Sequence, residues 1–259
     1  MLSKIIKKIK DIVYRFKYRN FSYLQKLEAG VFVRSYYGYC IYKSAELGVK
    51  LGYKRITIIE FGVAGGNGLL TIENHCEEIK KIFDIEFDIY GFDTGIGLPK
   101  PKDYKDQPYL WGEGFFKMNL NLLKSKLKQT RLIIGDVKNT TKKFKNKDNS
   151  PIGFISFDLD YYSSTKEALN IFNRNEKYLL PRIQCYFDDV GTINSVGELQ
   201  AIKEYNKKYK NRTLSTIYTQ VFNRNILGER IFEHHMFDHQ KYNYLVKPIK
   251  HNKLNNDKE

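Results

Sequence analysis

The sequence predicts an α/β fold, a doubly wound and mostly parallel sheet, on three observations. From Arg55 onward, short apolar runs rich in Ile and Phe alternate with segments of helical periodicity, the order expected of βαβ units with right-handed crossovers. The first of these runs passes into a glycine-rich turn, Gly62-Val63-Ala64-Gly65-Gly66-Asn67-Gly68. Two later runs end in clustered acids, Asp158-Leu159-Asp160 and Asp188-Asp189, and in a parallel sheet such ends meet at the carboxyl edge, where open α/β folds bind ligands.

The elements follow in order. Residues 1–50 read as a helical extension, broken at Gly30 and aromatic around Phe32, Tyr36, Tyr37, Tyr39 and Tyr42. Residues 51–249 form the sheet domain. Ile56–Phe61, Phe87–Phe92, Leu132–Ile134, Ile152–Phe157 and Ile183–Phe187 are its buried strands. Helices are expected around 69–83, 117–128, 164–178 and 196–209, the third started by a capping box, Ser164-Thr165-Lys166-Glu167. The apolar runs Leu214–Val221 and Arg230–Phe237 have no helix between them and predict a closing antiparallel pair. Residues 250–259 are a polar tail.

Composition bounds the function. A chain of 259 residues buries one substantial core. Three cysteines without CxxC spacing suggest neither a disulfide framework nor a zinc site, and point to a reducing cytoplasm. The net charge of +15 raises nucleic acid as a partner, but the lysines are scattered among asparagines, with no finger, RNP-like signature or basic arm, so nucleic acid is not expected. No apolar stretch approaches the ~20 residues of a membrane span, and no signal peptide is evident. Ile5, Ile6, Ile9, Ile12, Val13 and Phe16 recur at helical spacing among lysines and arginines, an amphipathic pattern over residues 1–19. Such a helix suits either peripheral contact with anionic lipid or packing on this domain or on a second subunit of a homo-oligomer.

The acids carry the chemistry. Hard oxygen ligands converging at strand ends suit a divalent cation. The glycine turn lets backbone approach a ligand, yet Ala64 and Asn67 stand where a dinucleotide GxGxxG has its second and third glycines, and the run reads ExGxAxG from Glu60 to Gly66. Asp93 ends the second strand, where a carboxylate accepts two hydroxyl hydrogen bonds well.

The glycine turn resembles the first motif of class I S-adenosylmethionine-dependent methyltransferases. Tyr90–Pro99, Asp158–Leu169 and Phe187-Asp188-Asp189 are similar to motifs of the macrocin O-methyltransferase (TylF-like) family, in the expected order over residues 55–190. The resemblance implies a Rossmann-like fold with Glu60, Gly62, Ala64, Gly66, Asp93 and Asp136 about S-adenosylmethionine. It also implies Asp158, Asp188 and Asp189 as magnesium ligands, Asp160 as the base, and O-methylation of a sugar, glycan or secondary metabolite. Lys100–Phe116, long and aromatic, reads as a lid over a small-molecule or glycan acceptor. His234, His235 and His239 are alternative bases; the first two are adjacent, so on a strand at most one faces the site. The rival readings are an adenosylmethionine-fold binding or assembly protein without catalysis, and a metal-dependent glycosyltransferase, which explains Asp158 and Asp160 but not the glycine turn. Asp136 also reads as a plain turn residue, and one acid of Asp188-Asp189 as a helix cap.

Overall fold

The computed structural model describes residues 17–190, 195–217 and 230–244. The amphipathic pattern at the start lies almost wholly outside the described residues, and the polar tail entirely so. Helices α1 (Tyr23–Glu28) and α2 (Ser35–Lys50) precede β1 (Arg55–Phe61), α3 (Asn67–Lys80) and β2 (Glu86–Asp93). There follow α4 (Leu120–Lys126), β3 (Arg131–Ile134), α5 (Val137–Lys143), β4 (Ile152–Phe157), α6 (Tyr162–Ala168), β5 (Leu179–Phe187), α7 (Gly197–Lys208), β6 (Arg212–Thr216) and β7 (Ile231–Met236).

The strands form one Rossmann-like sheet in the order β3-β2-β1-β4-β5-β7-β6. The first five are parallel. Strand β7 runs antiparallel to both β5 and β6, so the predicted closing pair is present. The order reverses between β1 and β4, and their outgoing loops therefore diverge and open a crevice at the carboxyl edge. Helix α2 buries Tyr37, Ile41, Ser44, Ala45 and Gly48, a stripe at helical spacing. The stripe lies across the sheet, with Ser44 Oγ 2.6 Å from the Gly153 carbonyl oxygen.

One row of side chains sets the height of that edge. Phe92, Phe61, Phe157 and Phe187 stand in register on β2, β1, β4 and β5. Their ring centroids are 4.7, 5.4 and 4.4 Å apart along the row. Each is the last apolar residue before a turn or an acid, so Gly62, Asp158 and Asp188 emerge level with one another, beside Asp93.

Three local expectations change. Helix α6 begins at Tyr162, with Tyr161 at its N-cap and no side-chain cap of its own; Ser164 lies inside it and the predicted capping box does not form. The first turn is satisfied from a distance: buried Asp106, in the 100–116 segment, accepts hydrogen bonds from Ser163 N (2.8 Å), Ser163 Oγ (2.9 Å) and Lys102 N (2.8 Å). The helix expected over 164–178 stops at Ala168 and continues as 3-10 turns over 169–173 and 176–178. Helix α5 was not predicted, because its sequence, Val137 to Lys143, has no apolar stripe; it rests on Asp136 as N-cap, accepting from Lys138 N at 2.7 Å.

Since buried Asp106 accepts three hydrogen bonds, Asp106→Ala is expected to cost about 2 kcal/mol in urea denaturation. Tryptic cleavage between Lys100 and Lys117 should quicken with it. Unchanged stability would show that α6 does not depend on this cap.

Candidate functional site

A cavity of about 330 Å³ lies at the carboxyl edge, in the crevice where the strand order reverses. One wall is the glycine turn. Gly62 has a φ of +81°, and a β-carbon there would lie 1.7 Å from the Asp158 carbonyl oxygen, so the turn and the β4 loop touch only because this residue is glycine. Ala64 also takes a left-handed conformation, with φ of 45°. Asp93 Oδ2 accepts from Val63 N (2.9 Å) and Ala64 N (3.0 Å), and Oδ1 accepts from Gly95 N (2.6 Å). The carboxylate expected to receive two ligand hydroxyls thus already uses three of its roughly four acceptor positions to shape the loop.

Beneath the turn lies a polar chain that sequence reasoning half missed. Glu60 is buried, accepts from the Tyr37 hydroxyl at 3.3 Å, and leaves Oε2 without a partner among the described residues. Burial pushes its carboxyl up to about 8, against the opposing pull of Arg34. Arg34, the left-handed N-cap of α2, lines the cavity and donates to the Tyr37 hydroxyl at 2.8 Å. No local motif marks Arg34; packing of the helical extension brings it to the sheet edge.

The opposite wall is acidic. Carboxylate oxygens of Asp158, Asp188 and Asp189 lie within 4.8 Å of one another, a spacing one metal ion spans. Asp188 Oδ1 accepts from the Tyr186 hydroxyl (2.9 Å) and from Arg230 (3.0 Å). Asp160 follows in a left-handed conformation (φ 58°), which turns the chain so that it also lines the cavity. Burial, then repulsion from Asp188 and Asp189, raises Asp158 to about 7. Burial, then Asp189 and Asp158, raises Asp160 to about 8, and it shares a hydrogen bond with Asp189. Fully buried Glu198, in the first turn of α7, binds both loops at once: Oε1 accepts from Leu159 N (3.2 Å) and Oε2 from Asp189 N (3.0 Å). An acid opening an otherwise ordinary helix gives no sequence sign of this.

Asp136 lines the cavity on the β3 side while capping α5. From the 100–116 segment, Trp111 and Phe116 line the cavity, and the segment is tied to the acid loop by Asp106 and by Tyr161 Oη, 3.3 Å from the Trp111 carbonyl oxygen. The three histidines do not line it. His234 is buried against Phe172, with ring centroids 3.9 Å apart, and lies 3.2 Å from the Tyr205 hydroxyl. His235 points to the other face, to Tyr242 and Ser215, and His239 meets the Leu179 carbonyl oxygen. His234 and His235 lie on β7 and pair with Ile183 and Arg182 in the middle of β5, while His239, beyond β7, meets the start of β5; all three lie away from the acidic end of β5, and none is placed to serve as the alternative base.

Carboxyls whose pKa is higher in the fold than in the unfolded chain make folding take up protons. Their contribution is complete below the ordinary value of 3.8 and is lost as pH rises through about 7 for Asp158 and about 8 for Asp160. In chelator, the melting temperature should therefore fall between about pH 5 and about pH 8. Asp158→Asn should stabilise the protein by about 1–3 kcal/mol at the upper end and change little near about pH 4. A parallel pH profile for the variant and the parent would show that Asp158 is not held in this strained state.

No family model matches the chain, and no curated protein matches it. Solved structures do. One is CalS11, a calicheamicin methyltransferase, 23% identical, with a TM-score of 0.53 over 70% of this chain and 73% of that one. Another is the apo form of CalS11, described as a TDP-rhamnose 3'-O-methyltransferase, also 23% identical, with a TM-score of 0.43 over 69% of this chain and 74% of that one. At this identity the first likeness is one of fold: the chain has the Rossmann-like sheet that this methyltransferase has.

Proposed function

We propose that the protein is an S-adenosylmethionine-dependent methyltransferase that methylates a hydroxyl oxygen with the help of a divalent cation. The observation that carries the proposal is the charge of the cavity. Seven acids, Glu60, Asp93, Asp136, Asp158, Asp160, Asp188 and Asp189, line it against a single arginine, Arg34. Two amides of the glycine turn, those of Val63 and Ala64, are taken by the Asp93 carboxylate. Even with burial holding protons on Glu60, Asp158 and Asp160, a lining so rich in acids and so poor in cations offers little to a dinucleotide or nucleotide diphosphate and suits a cationic ligand, which would favour ionisation of these carboxyls. A sulfonium that also bears an ammonium is such a ligand, and Glu60 Oε2, without a hydrogen-bond partner among the described residues, is a buried polar atom left for it to engage.

The residues suit the two groups. Asp158, Asp188 and Asp189 would hold magnesium, whose preference is for oxygen ligands, and the bound ion would lower the pKa of an acceptor hydroxyl. Glu60, the glycine turn and Asp93 would hold adenosylmethionine, which supplies an electrophilic methyl group. Asp160, once ionised by the neighbouring cation, would be placed to take the hydroxyl proton as the oxygen displaces the sulfur at the methyl carbon. A carboxylate raised toward neutrality is a better base than one at its ordinary value. The walls of the cavity contribute chiefly by holding donor and acceptor in line. A sugar, glycan or secondary-metabolite acceptor is supported by the resemblance of the Tyr90–Pro99, Asp158–Leu169 and Phe187–Asp189 motifs to the macrocin O-methyltransferase family.

Calorimetric titration with adenosylmethionine is expected to show binding that Asp93→Ala weakens by roughly 10- to 100-fold. Asp158→Ala or Asp189→Ala should remove at least ~100-fold of turnover while changing cofactor affinity little. Magnesium affinity should rise from about pH 6 to about pH 8, because protons on Asp158 and Asp160 compete with the ion. Failure to bind adenosylmethionine would sink the whole proposal, and full turnover in chelator would sink the cation alone.

A further inference from the structure

The positive charge is unevenly spread along the chain. Between Lys117 and Lys147 there are ten Lys and Arg and one acid, against 44 and 29 in the whole chain. This stretch builds α4, β3 and α5; β3 is an edge strand of the sheet, α4 leads into it, and α5 leads from it over β2 toward α6, so the charge begins at one border of the sheet and continues onto the adjoining helical face. All ten side chains are exposed. Arg131 lies on Tyr90 and Lys147 pairs with Asp88. The other eight form no ion pair among the described residues.

At the carboxyl end of that border the exposed side chains become apolar. Ile96 is 75% exposed, Leu122 51%, Phe115 50% and Ile134 41%. The segments that carry Ile96, Ile134 and Phe115 adjoin: a β-carbon on Gly95, beside Ile96, would lie 3.2 Å from Ile134 Cγ2, and the 95–98 turn is bonded to the Phe115 carbonyl through Leu98 N at 2.8 Å. Edge protection of β3 would account for Arg131 but not for lysines on α4 and α5. A phosphodiester backbone would use the cations but has no use for exposed aliphatic side chains. A bilayer surface uses both, with anionic headgroups meeting the lysines and the apolar cluster entering the headgroup layer.

We propose that the α4–β3–α5 border docks on anionic lipid, with Ile96 and Phe115 at its inserting end. The feature is separate from the proposed reaction and from residues 1–16. No helix among the described residues is long and apolar enough to cross a membrane, so the contact is peripheral.

Flotation of the full chain with phosphatidylcholine vesicles, with and without phosphatidylglycerol, tests this without any activity measurement. Binding is expected only with phosphatidylglycerol, and should weaken as salt rises. The quadruple variant Lys124→Glu, Lys126→Glu, Lys142→Glu and Lys143→Glu should bind at least ~10-fold more weakly with an unchanged circular dichroism spectrum. Ile96→Ser combined with Phe115→Ser should also reduce binding, and these two exposed positions carry little risk to folding. The proposal is overturned if the parent does not float, if the quadruple variant floats like the parent, or if RNA competes the vesicles away at equal phosphate.

Discussion

The row of Phe92, Phe61, Phe157 and Phe187 is the constraint on which the site depends. Parallel strands carry no inherent requirement to end at the same height. Four large rings in register, each in contact with the next, impose one, since a slip of one residue on any strand would turn its ring to the opposite face. Aromatic contacts of this kind add about 0.5–1.5 kcal/mol each beyond the area they bury. The chain therefore leaves the core at a common level, and the residue after each ring is either the glycine that admits a close approach or an acid.

That arrangement sets acids against one another, and the surroundings answer the repulsion locally. Arg230 lies on Asp188, Arg34 faces Glu60 and Asp158, and Asp160 shares a hydrogen bond with Asp189. Glu198 adds a further buried carboxyl where charge is already crowded. Its place is explained by what it binds: the amides of Leu159 and Asp189 belong to the two loops that carry the acids, and a single carboxylate bridging them fixes their separation. Crowding is thus accepted in exchange for geometry, the usual sign of a binding site rather than of a stabilising network.

What the sequence made legible was whatever is encoded within one segment. A buried strand followed by an acid, or by glycines, can be read directly, so the sheet, its closing pair and the converging Asp158, Asp188 and Asp189 were all expected. Arg34 and Glu198 were not, because their places depend on how α2 and α7 pack. The Ser164–Glu167 pattern misled for the same reason: the cap of α6 comes from Asp106, 57 residues away. The histidines drew notice by residue type, but His234 is a core ring stacked on Phe172. The lysines read as scattered, although nine of them and Arg131 fall between residues 117 and 147; what the fold adds is that this stretch surrounds the edge strand β3.

The opposed charges of border and cavity have a consequence for the proposed reaction. A net charge of +15 suggests an affinity for anions, yet the cavity presents seven acids and one arginine. An anionic acceptor drawn toward the border would be repelled at the mouth, where Asp158, Asp160, Asp188 and Asp189 lie together. Within the low-dielectric crevice that repulsion is far stronger than in water. A divalent cation held by Asp158, Asp188 and Asp189 would displace the protons that burial leaves on Asp158 and Asp160 and would cancel most of the repulsion between the ionised carboxylates and such an acceptor. Under the proposed function an anionic acceptor would therefore require the cation to bind first, whereas a neutral hydroxyl would be free to enter in either order. The order of binding would then follow from the electrostatics of the acid cluster.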